Sequence, residues 1–165
     1  MTLAELFDAH AQAVRRYLVR RLGTDADPLS TADDLTAEVF LVAWRRRSDV
    51  PAGAELPWLY AVARRVLANY RRRAADIPTN DIESLDAIDD NDPSELVTED
   101  LALRTAWERL SPRDREVLRL SAWEGLSGDA LGVALGMSTG GAASALSRAR
   151  ARLSQEIAAA QMQDS

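Results

Sequence analysis

Residues 126–153 read LSGDALGVALGMSTGGAASALSRARARL, and this stretch decides the fold of the C-terminal part of the chain. Its apolar residues recur at spacings of three and four and predict a short helix that Gly136 ends. Ser138 is a typical N-cap for a longer helix, and Gly132 is small enough for two helices to cross closely. A short helix, a tight turn and a long helix predict a helix-turn-helix, whose second helix can enter the major groove of DNA.

An ordinary helical hairpin has the same spacing, so the pattern alone leaves that alternative open. The row formed by Arg148, Arg150 and Arg152 favours DNA, because such rows of cations attract phosphates. We therefore interpret residues 126–153 as a DNA-binding element.

The other periodic segments also predict helices, and no stretch alternates in the manner of a strand, so the predicted fold class is all-α. The first helix runs from a capping box to about Gly23, and the second and third end in runs of three Arg. The expected starts, from N-cap or first-turn residues, are Thr2, Thr31, Pro57, Asp92 and Ser111.

The net charge of −6 is distributed unevenly along the chain. Residues 1–75 hold twelve Arg against nine acids, and residues 101–165 hold eight Arg against seven acids. Residues 76–100 hold ten Asp or Glu and no Arg. We therefore predict two small helical domains, residues 1–75 and residues 101–165, joined by an acidic linker over residues 76–100.

Composition excludes several classes of site. The chain has no Cys, which rules out disulfides and Cys-based zinc sites, and its one His lies on an apolar helix face. The acids cluster in the linker and do not converge on a pocket, so we expect no catalytic residue, no metal and no cofactor. No stretch approaches the roughly 20 apolar residues that span a bilayer, so we expect no membrane insertion and a cytoplasmic location.

Two further blocks suggest binding surfaces. Residues 33–44, DDLTAEVFLVAW, place Phe40 and Trp44 four positions apart, where they could dock a partner helix. Residues 56–73, LPWLYAVARRVLANYRRR, interleave aromatic and cationic side chains that can stack unpaired bases and hold phosphates. For the individual aromatic rings in both blocks, and for the acids at positions 33 and 34, core packing and helix capping are the alternative.

In this order, the three blocks resemble those of the extracytoplasmic-function (ECF, group IV) sigma factors of RNA polymerase. The resemblance implies an N-terminal helical bundle of the sigma region two type and a C-terminal helix-turn-helix domain of the sigma region four type. It implies a protein that is not an enzyme, and that directs promoter recognition, DNA melting and transcription initiation at a specific regulon. The implied partners are the clamp coiled coil and the flap of core RNA polymerase, promoter DNA and an anti-sigma factor.

The resemblance also assigns residues to each role. The block that binds core polymerase comprises Asp33, Asp34, Leu35, Glu38, Val39, Phe40 and Trp44. The block that binds the minus-ten element comprises Trp58, Arg64, Arg65, Asn69, Arg71, Arg72 and Arg73, with Arg65 where the family usually has Asn. The block that binds the minus-thirty-five element comprises Ser138, Thr139, Gly141, Ser144, Arg148, Arg150 and Arg152.

The third block departs from the family pattern. Positions 141, 142, 143 and 145 hold Gly, Ala, Ala and Ala, where the family commonly has Thr, Val, Lys and Arg. Gly140 and Gly141 would each weaken the first helical turn by up to about 1 kcal/mol relative to Ala. We therefore expect weak or permissive reading of the minus-thirty-five element, with a shallow dependence of DNA affinity on salt.

The main alternative is a sigma-like or stand-alone helix-turn-helix regulator with weak or no promoter activity, although a simple repressor has no use for the block at residues 33–44. An enzyme acting on nucleic acid is a second alternative, which would need converging acids. For the acidic linker we consider a solvated tether and a polyanion in the nucleic-acid path of the polymerase, which the resemblance favours. It could also fold back on the Arg clusters and mask them.

Overall fold

The structure is a computed structural model that describes residues 1–23, 26–75 and 98–165. Within these ranges it contains helices and no strand, which confirms the all-α prediction. None of the individual helices in the described ranges is both long and apolar enough to cross a membrane. The helices are α1 (Leu3–Leu22), α2 (Pro28–Arg45), α3 (Glu55–Ala74), α4 (Leu101–Arg109), α5 (Pro112–Ala122), α6 (Gly128–Leu135) and α7 (Thr139–Gln163), with a 3-10 turn at Arg47–Asp49.

The chain divides into two compact units. In the N-terminal unit, α1, α2 and α3 each pack on the other two, and in the C-terminal unit α7 packs on both α4 and α5. Each fully buried Val or Leu side chain contributes about 1.5–3 kcal/mol to folding. The fully buried aliphatic side chains of the first core include Val14, Leu18, Leu22, Val39, Leu59 and Val62, and those of the second include Val117, Leu120 and Leu131.

The capping box at the start of α1 is confirmed. The Glu5 amide donates a hydrogen bond to Thr2 Oγ1 (3.2 Å), and the Thr2 amide donates one to Glu5 Oε2 (2.7 Å). The hydrogen bond from the Thr2 amide, assisted by the Thr2 side chain, lowers the pKa of Glu5. At the other end, the Gly23 amide bonds to the Val19 carbonyl and ends the helix where the sequence predicts.

The starts of α2 and α3 differ from the prediction by a few residues. α2 begins at Pro28 instead of after Thr31, because Asp27 accepts a hydrogen bond from the Ser30 amide (3.3 Å) and proline suits the first helical position. α3 begins at Glu55, two residues before Pro57. Proline is tolerated there because the first four amides of a helix have no intrahelical acceptor.

In the C-terminal unit, the described residues place the start of α4 at Leu101. Asp100 Oδ1 accepts a hydrogen bond from the Leu103 amide (3.0 Å), and residues 98–100 are not helical. The helix start predicted at Asp92, and the acidic linker apart from its last three residues, lie outside the described residues. The predicted start at Ser111 is confirmed, since Ser111 Oγ accepts from the Asp114 amide (3.1 Å) ahead of α5.

The turn between α6 and α7 follows the predicted pattern. Gly136 has a positive φ of 66°, and the Met137 amide bonds to the Gly132 carbonyl (2.9 Å). A Cβ atom at Gly132 would lie 2.9 Å from the Met137 carbonyl oxygen, so the close crossing requires glycine. Ser138 Oγ accepts a hydrogen bond from the Gly141 amide (3.0 Å) and caps α7.

Candidate nucleic-acid and protein interfaces

The block over residues 33–44 divides between core and surface. Leu35, Val39 and Phe40 are buried, and the Phe40 ring packs edge-on against the Phe7 ring of α1 with 4.9 Å between centroids. Trp44 keeps 47% of its surface exposed. Phe40 therefore holds α1 and α2 together, and Trp44 is the aromatic side chain of this block that a partner can reach.

The exposed face of α2 includes a residue that the sequence reasoning missed. Leu41 is 48% exposed, and it lies seven positions after Asp34 and three before Trp44. At 3.6 residues per turn these three residues fall within about 80° of one another around the helix axis. We call Asp34, Leu41 and Trp44 the α2 docking face. Leu41 could have been identified from the sequence by its helical spacing, seven positions from Asp34 and three from Trp44.

The other acids of this block tie α2 to its neighbours. Asp33 Oδ1 accepts a hydrogen bond from Arg15 Nε of α1 (2.6 Å). Glu38 Oε2 lies 3.6 Å from Nη2 of Arg73 in α3. Both pairs are largely solvent-exposed, so each contributes at most about 1 kcal/mol. Asp34 forms no ion pair with any residue in the described ranges, which leaves its carboxylate available on the α2 docking face.

Seven residues of α3 were predicted to bind DNA, and the helix brings four of them onto one face. Trp58, Arg65, Asn69 and Arg72 lie within about 60° around the helix axis, because they are spaced by seven, four and three positions. All four are half-buried. Arg64 points elsewhere by the same geometry. We call the four residues the α3 polar face.

Arg71 forms a hydrogen bond to the backbone of α1. Its Nη2 donates a hydrogen bond to the carbonyl oxygen of Arg21 (2.6 Å), in the last turn of α1. Carbonyls in that turn have no intrahelical donor, so a neighbouring guanidinium satisfies one of them. Of the three Arg that end α3, Arg71 thus binds α1, Arg73 lies beside Glu38, and Arg72 belongs to the α3 polar face.

The side-chain oxygen of Asn69 stands out on the α3 polar face. It is shielded from solvent and accepts no hydrogen bond from a residue in the described ranges. An amide oxygen left without a donor in this way costs about 1–3 kcal/mol. A rotation of the Asn69 side chain that exposes the oxygen to a donor, such as the amino group of an unpaired base, would remove that cost, and Trp58 on the same face can stack a base.

At the start of α7, the predicted contact residues bond within the helix-turn-helix. The Ser138 hydroxyl accepts from the Gly141 amide, and the Thr139 hydroxyl donates to the carboxylate of Asp129 in α6. Ser144, one turn later, is exposed. The first turn of α7 is therefore preorganised by its own hydroxyl groups.

The three Arg of α7 do not form a row. Arg152 donates two hydrogen bonds, both 2.8 Å long, to the two carboxylate oxygens of Asp114 in α5. Arg150 Nη2 lies 3.4 Å from the Ser121 hydroxyl, and its position is about 200° around the helix from Arg148. Arg148 is exposed and has no ion-pair partner in the described part of the chain. Arg148 is therefore the cation that this helix presents most freely.

Burial separates the four departures from the family pattern into two kinds. Ala142 is fully buried and Ala145 is 7% exposed, so neither side chain faces solvent. Gly141 is half-exposed and Ala143 is exposed. Positions 141 and 143 are therefore the two departures that lie at the surface of α7. The exposed residues on one side of the first half of α7 are Gly140, Ala143, Ser144, Ser147 and Arg148, which we call the α7 groove face.

Two protein-family models match the chain in succession. Sigma-70 region 2 matches residues 6–77, and Sigma-70 region 4 matches residues 100–153. The first match includes nearly all of α1 to α3, together with the α2 docking face and the α3 polar face. The second extends from the cap of α4 through the α7 groove face.

Individual relatives are likewise named as RNA polymerase sigma factors. The ECF RNA polymerase sigma factor BldN of Streptomyces coelicolor is 35% identical over 131 residues, which are 74% of this chain and 47% of BldN. The chain thus spans about half the length of that relative. The RNA polymerase sigma-E factor of Streptomyces avermitilis is 34% identical over 137 residues, which are 79% of this chain and 73% of that protein.

Among solved structures, the sigma factor RpoE of Bartonella quintana, crystallised with the anti-sigma factor NepR, has a similar fold. The TM-score is 0.56 at 22% identity, and the match covers 93% of this chain and 95% of that one. The likeness extends over both helical units.

Proposed function

The chain belongs to the ECF sigma factors of the sigma-70 family, and we propose that it binds core RNA polymerase and directs promoter recognition, DNA melting and transcription initiation at a specific regulon. The observation that carries the proposal is the succession of region 2 and region 4 in one chain, the second with a glycine turn and a capped second helix. We assign it to group IV, as a cytoplasmic binding subunit and not an enzyme. Its domains would be residues 1–75 and 101–165, joined by the acidic linker over residues 76–100.

For the polymerase contact, we propose that the α2 docking face binds the coiled coil of the clamp. Leu41 and Trp44 supply exposed apolar surface, and Asp34 supplies an acid that has no ion pair within the described residues at the other end of the face. A helix with this arrangement suits a partner helix that offers apolar residues beside a cation. The C-terminal unit would bind the flap.

For the minus-ten element, we propose that the α3 polar face captures the separated strand. Opening requires a base to leave the stack, at a cost of about a few kcal/mol that contacts to the exposed strand must offset. Stacking on an aromatic ring contributes about 1–3 kcal/mol per base, which Trp58 can supply. With its side chain rotated outward, Asn69 would add a base acceptor, and the Arg65 and Arg72 guanidinium groups would add phosphate contacts.

For the minus-thirty-five element, we propose that the α7 groove face enters the major groove. Ser144, Ser147 and Arg148 are its polar side chains, and Gly140 and Ala143 have no donor or acceptor beyond the backbone. Because phosphate contacts set the slope of affinity against salt, one free cation implies a shallow slope. This element would then contribute less to promoter choice than the minus-ten element.

A regulatory partner is also part of the proposal. The Bartonella sigma factor was solved in complex with an anti-sigma factor, and we propose that an anti-sigma factor also binds this chain and holds it inactive. The α2 docking face is a suitable target, because an anti-sigma factor could bury the exposed apolar side chains of Leu41 and Trp44 in the same way as polymerase.

Run-off transcription on a genomic fragment library tests the proposed function. Core RNA polymerase alone is compared with core plus the protein, and with core plus Trp44→Ala. New start sites that require the wild-type protein and weaken with the variant are expected. No new transcript with either protein would overturn the proposal.

A second candidate is a sigma-like or stand-alone helix-turn-helix regulator with weak or no promoter activity. The observation that favours it is the α7 groove face, on which Arg148 is the only cation. Stable core binding without new transcripts would support the sigma-like form, and DNA binding without core binding would support the stand-alone form.

A further inference from the structure

One carboxylate lies between the starting ends of both helices of the helix-turn-helix. Asp129 is the second residue of α6, and its Oδ1 accepts a hydrogen bond from the hydroxyl of Thr139, the first residue of α7. Asp129 is exposed. The starting end of a helix carries a partial positive charge of about half an elementary charge, which an acid stabilises.

Those two helix ends are the parts of a helix-turn-helix that approach DNA. The second helix points its first residues at the base edges, and the first helix crosses the phosphate backbone. Backbone amides at a helix start bind phosphates readily. In this chain, a carboxylate already bonds the side chain of the first residue of α7.

The charge of Asp129 is not balanced locally. No described cation forms an ion pair with Asp129, and the first turn of α7 contains Gly140 and Gly141, which carry no charge. Arg113 of α5 reaches the turn only as far as Met137, with 4.0 Å between Nη2 and Sδ. A DNA phosphate arriving at this end therefore meets a carboxylate with little opposing charge beside it.

We propose that Asp129 is an affinity-setting residue of the DNA-binding surface, whose carboxylate takes the place of a phosphate at the start of α7 and repels the DNA backbone. This inference rests on the proposed function, since it assumes that α7 docks on DNA. The consequence is that the free protein binds duplex DNA weakly. Stable binding then requires the additional contacts that core polymerase and the minus-ten element supply.

The test compares Asp129→Asn, Thr139→Val and Glu108→Gln with the wild-type full chain. Asn keeps the oxygen that accepts from Thr139 and removes the charge, whereas Val removes the hydroxyl and keeps the charge. Glu108 is an exposed acid on α4, so Glu108→Gln changes the net charge equally at another place. Binding is measured by fluorescence anisotropy with a mixed-sequence duplex of about 30 base pairs, roughly three helical turns, and circular dichroism monitors folding.

Asp129→Asn is expected to bind this duplex about two- to fivefold more tightly at low salt, with the gain shrinking as salt rises. Thr139→Val and Glu108→Gln are expected to show no such gain. Unchanged or weaker binding by a folded Asp129→Asn protein would overturn the inference, as would an equal gain in Thr139→Val or Glu108→Gln.

The same proteins are assayed with core polymerase in run-off transcription, which separates the two claims. Wild-type transcripts together with unchanged DNA affinity in Asp129→Asn would overturn the role of Asp129 and leave the proposed function standing. The absence of transcripts and of DNA binding in every variant would overturn both.

Discussion

Arg152 grips Asp114 with two hydrogen bonds of 2.8 Å and thereby fastens the middle of α7 to the first turn of α5. The Asp114 side chain is only 9% exposed, whereas that of Arg152 is 53% exposed. A carboxylate this deeply placed needs a charged donor, and Arg152 Nη1 donates to both of its oxygens. The contact between α7 and α5 thus includes an Arg that the sequence suggested for DNA.

We predict that Arg152→Ala lowers the free energy of unfolding of the protein by about 1–3 kcal/mol. The variant leaves the nearly buried Asp114 carboxylate without its donor, and that desolvation cost is the reason. Urea denaturation followed by circular dichroism measures the effect. Arg148→Ala is the matched control, since Arg148 is exposed on the same helix, and it should change stability by less than about 0.5 kcal/mol. Equal stabilities for the two variants would contradict the assignment.

Arg148→Ala should instead weaken DNA binding and reduce the slope of log affinity against log salt by about one. The reason is that one phosphate contact releases about one counterion. Anisotropy titrations at several salt concentrations give the slope. An unchanged slope would remove Arg148 from the DNA-binding surface.

On the α2 docking face, the double variant Leu41→Ala/Trp44→Ala is expected to weaken core polymerase binding at least about tenfold. Exposed apolar anchors contribute most of the affinity of such interfaces, whereas their loss does little to a fold they do not support. Leu29→Ala removes a similarly exposed leucine in the first turn of the same helix, fifteen positions before Trp44 and thus about 22 Å from it along the axis, and should have no effect. Equal binding by the two proteins, measured by fluorescence titration, would reject this docking face.

Neighbouring arginines at the end of α3 should behave differently. Arg71→Ala is expected to destabilise the N-terminal unit by about 1–2 kcal/mol, because Arg71 holds the Arg21 carbonyl. Arg72→Ala should leave stability unchanged and slow promoter opening. Thermal unfolding and permanganate reactivity of unpaired thymines measure the two properties. If Arg71→Ala slowed promoter opening without loss of stability, the assignment of Arg71 to folding and Arg72 to promoter opening would be wrong.

Two glycines of the helix-turn-helix give a second matched pair. Gly132→Ala should destabilise the C-terminal unit by about 1–3 kcal/mol, because the new Cβ would lie 2.9 Å from the Met137 carbonyl oxygen. Gly140→Ala places its Cβ in open space and should stabilise α7 by up to about 1 kcal/mol. Thermal unfolding distinguishes the signs, and stabilisation by Gly132→Ala would contradict the close crossing.

Features that depend on a few consecutive residues were predicted correctly. The capping box at Thr2 and Glu5, the positive φ of Gly136 and the cap at Ser138 each need only a local hydrogen bond or one backbone conformation. The start of α2 was misplaced because Thr31 and Asp27 both carry capping side chains. Proline next to Asp27 decided between them.

Burial within the candidate surfaces could not be predicted in the same way. Phe40 and Leu41 are adjacent large apolar residues, and periodicity does not say which of them a neighbouring helix will cover. The edge-on contact with Phe7 buries Phe40, and Leu41 is left on the surface. The position of α1 was needed for that distinction.

By itself, the sequence determined the all-helical fold, the helix-turn-helix pattern and the family. Helical periodicity, caps and turn glycines each depend only on residues that are close together in the sequence. The tertiary structure decided which side chains remain available to a partner. Arg71, Arg148 and Arg152 carry the same charge, yet one holds a carbonyl of α1, one is exposed, and one grips Asp114. A guanidinium binds whichever acceptor the fold brings within about 3 Å, and that acceptor lies on another helix, 38 residues away in the case of Arg152.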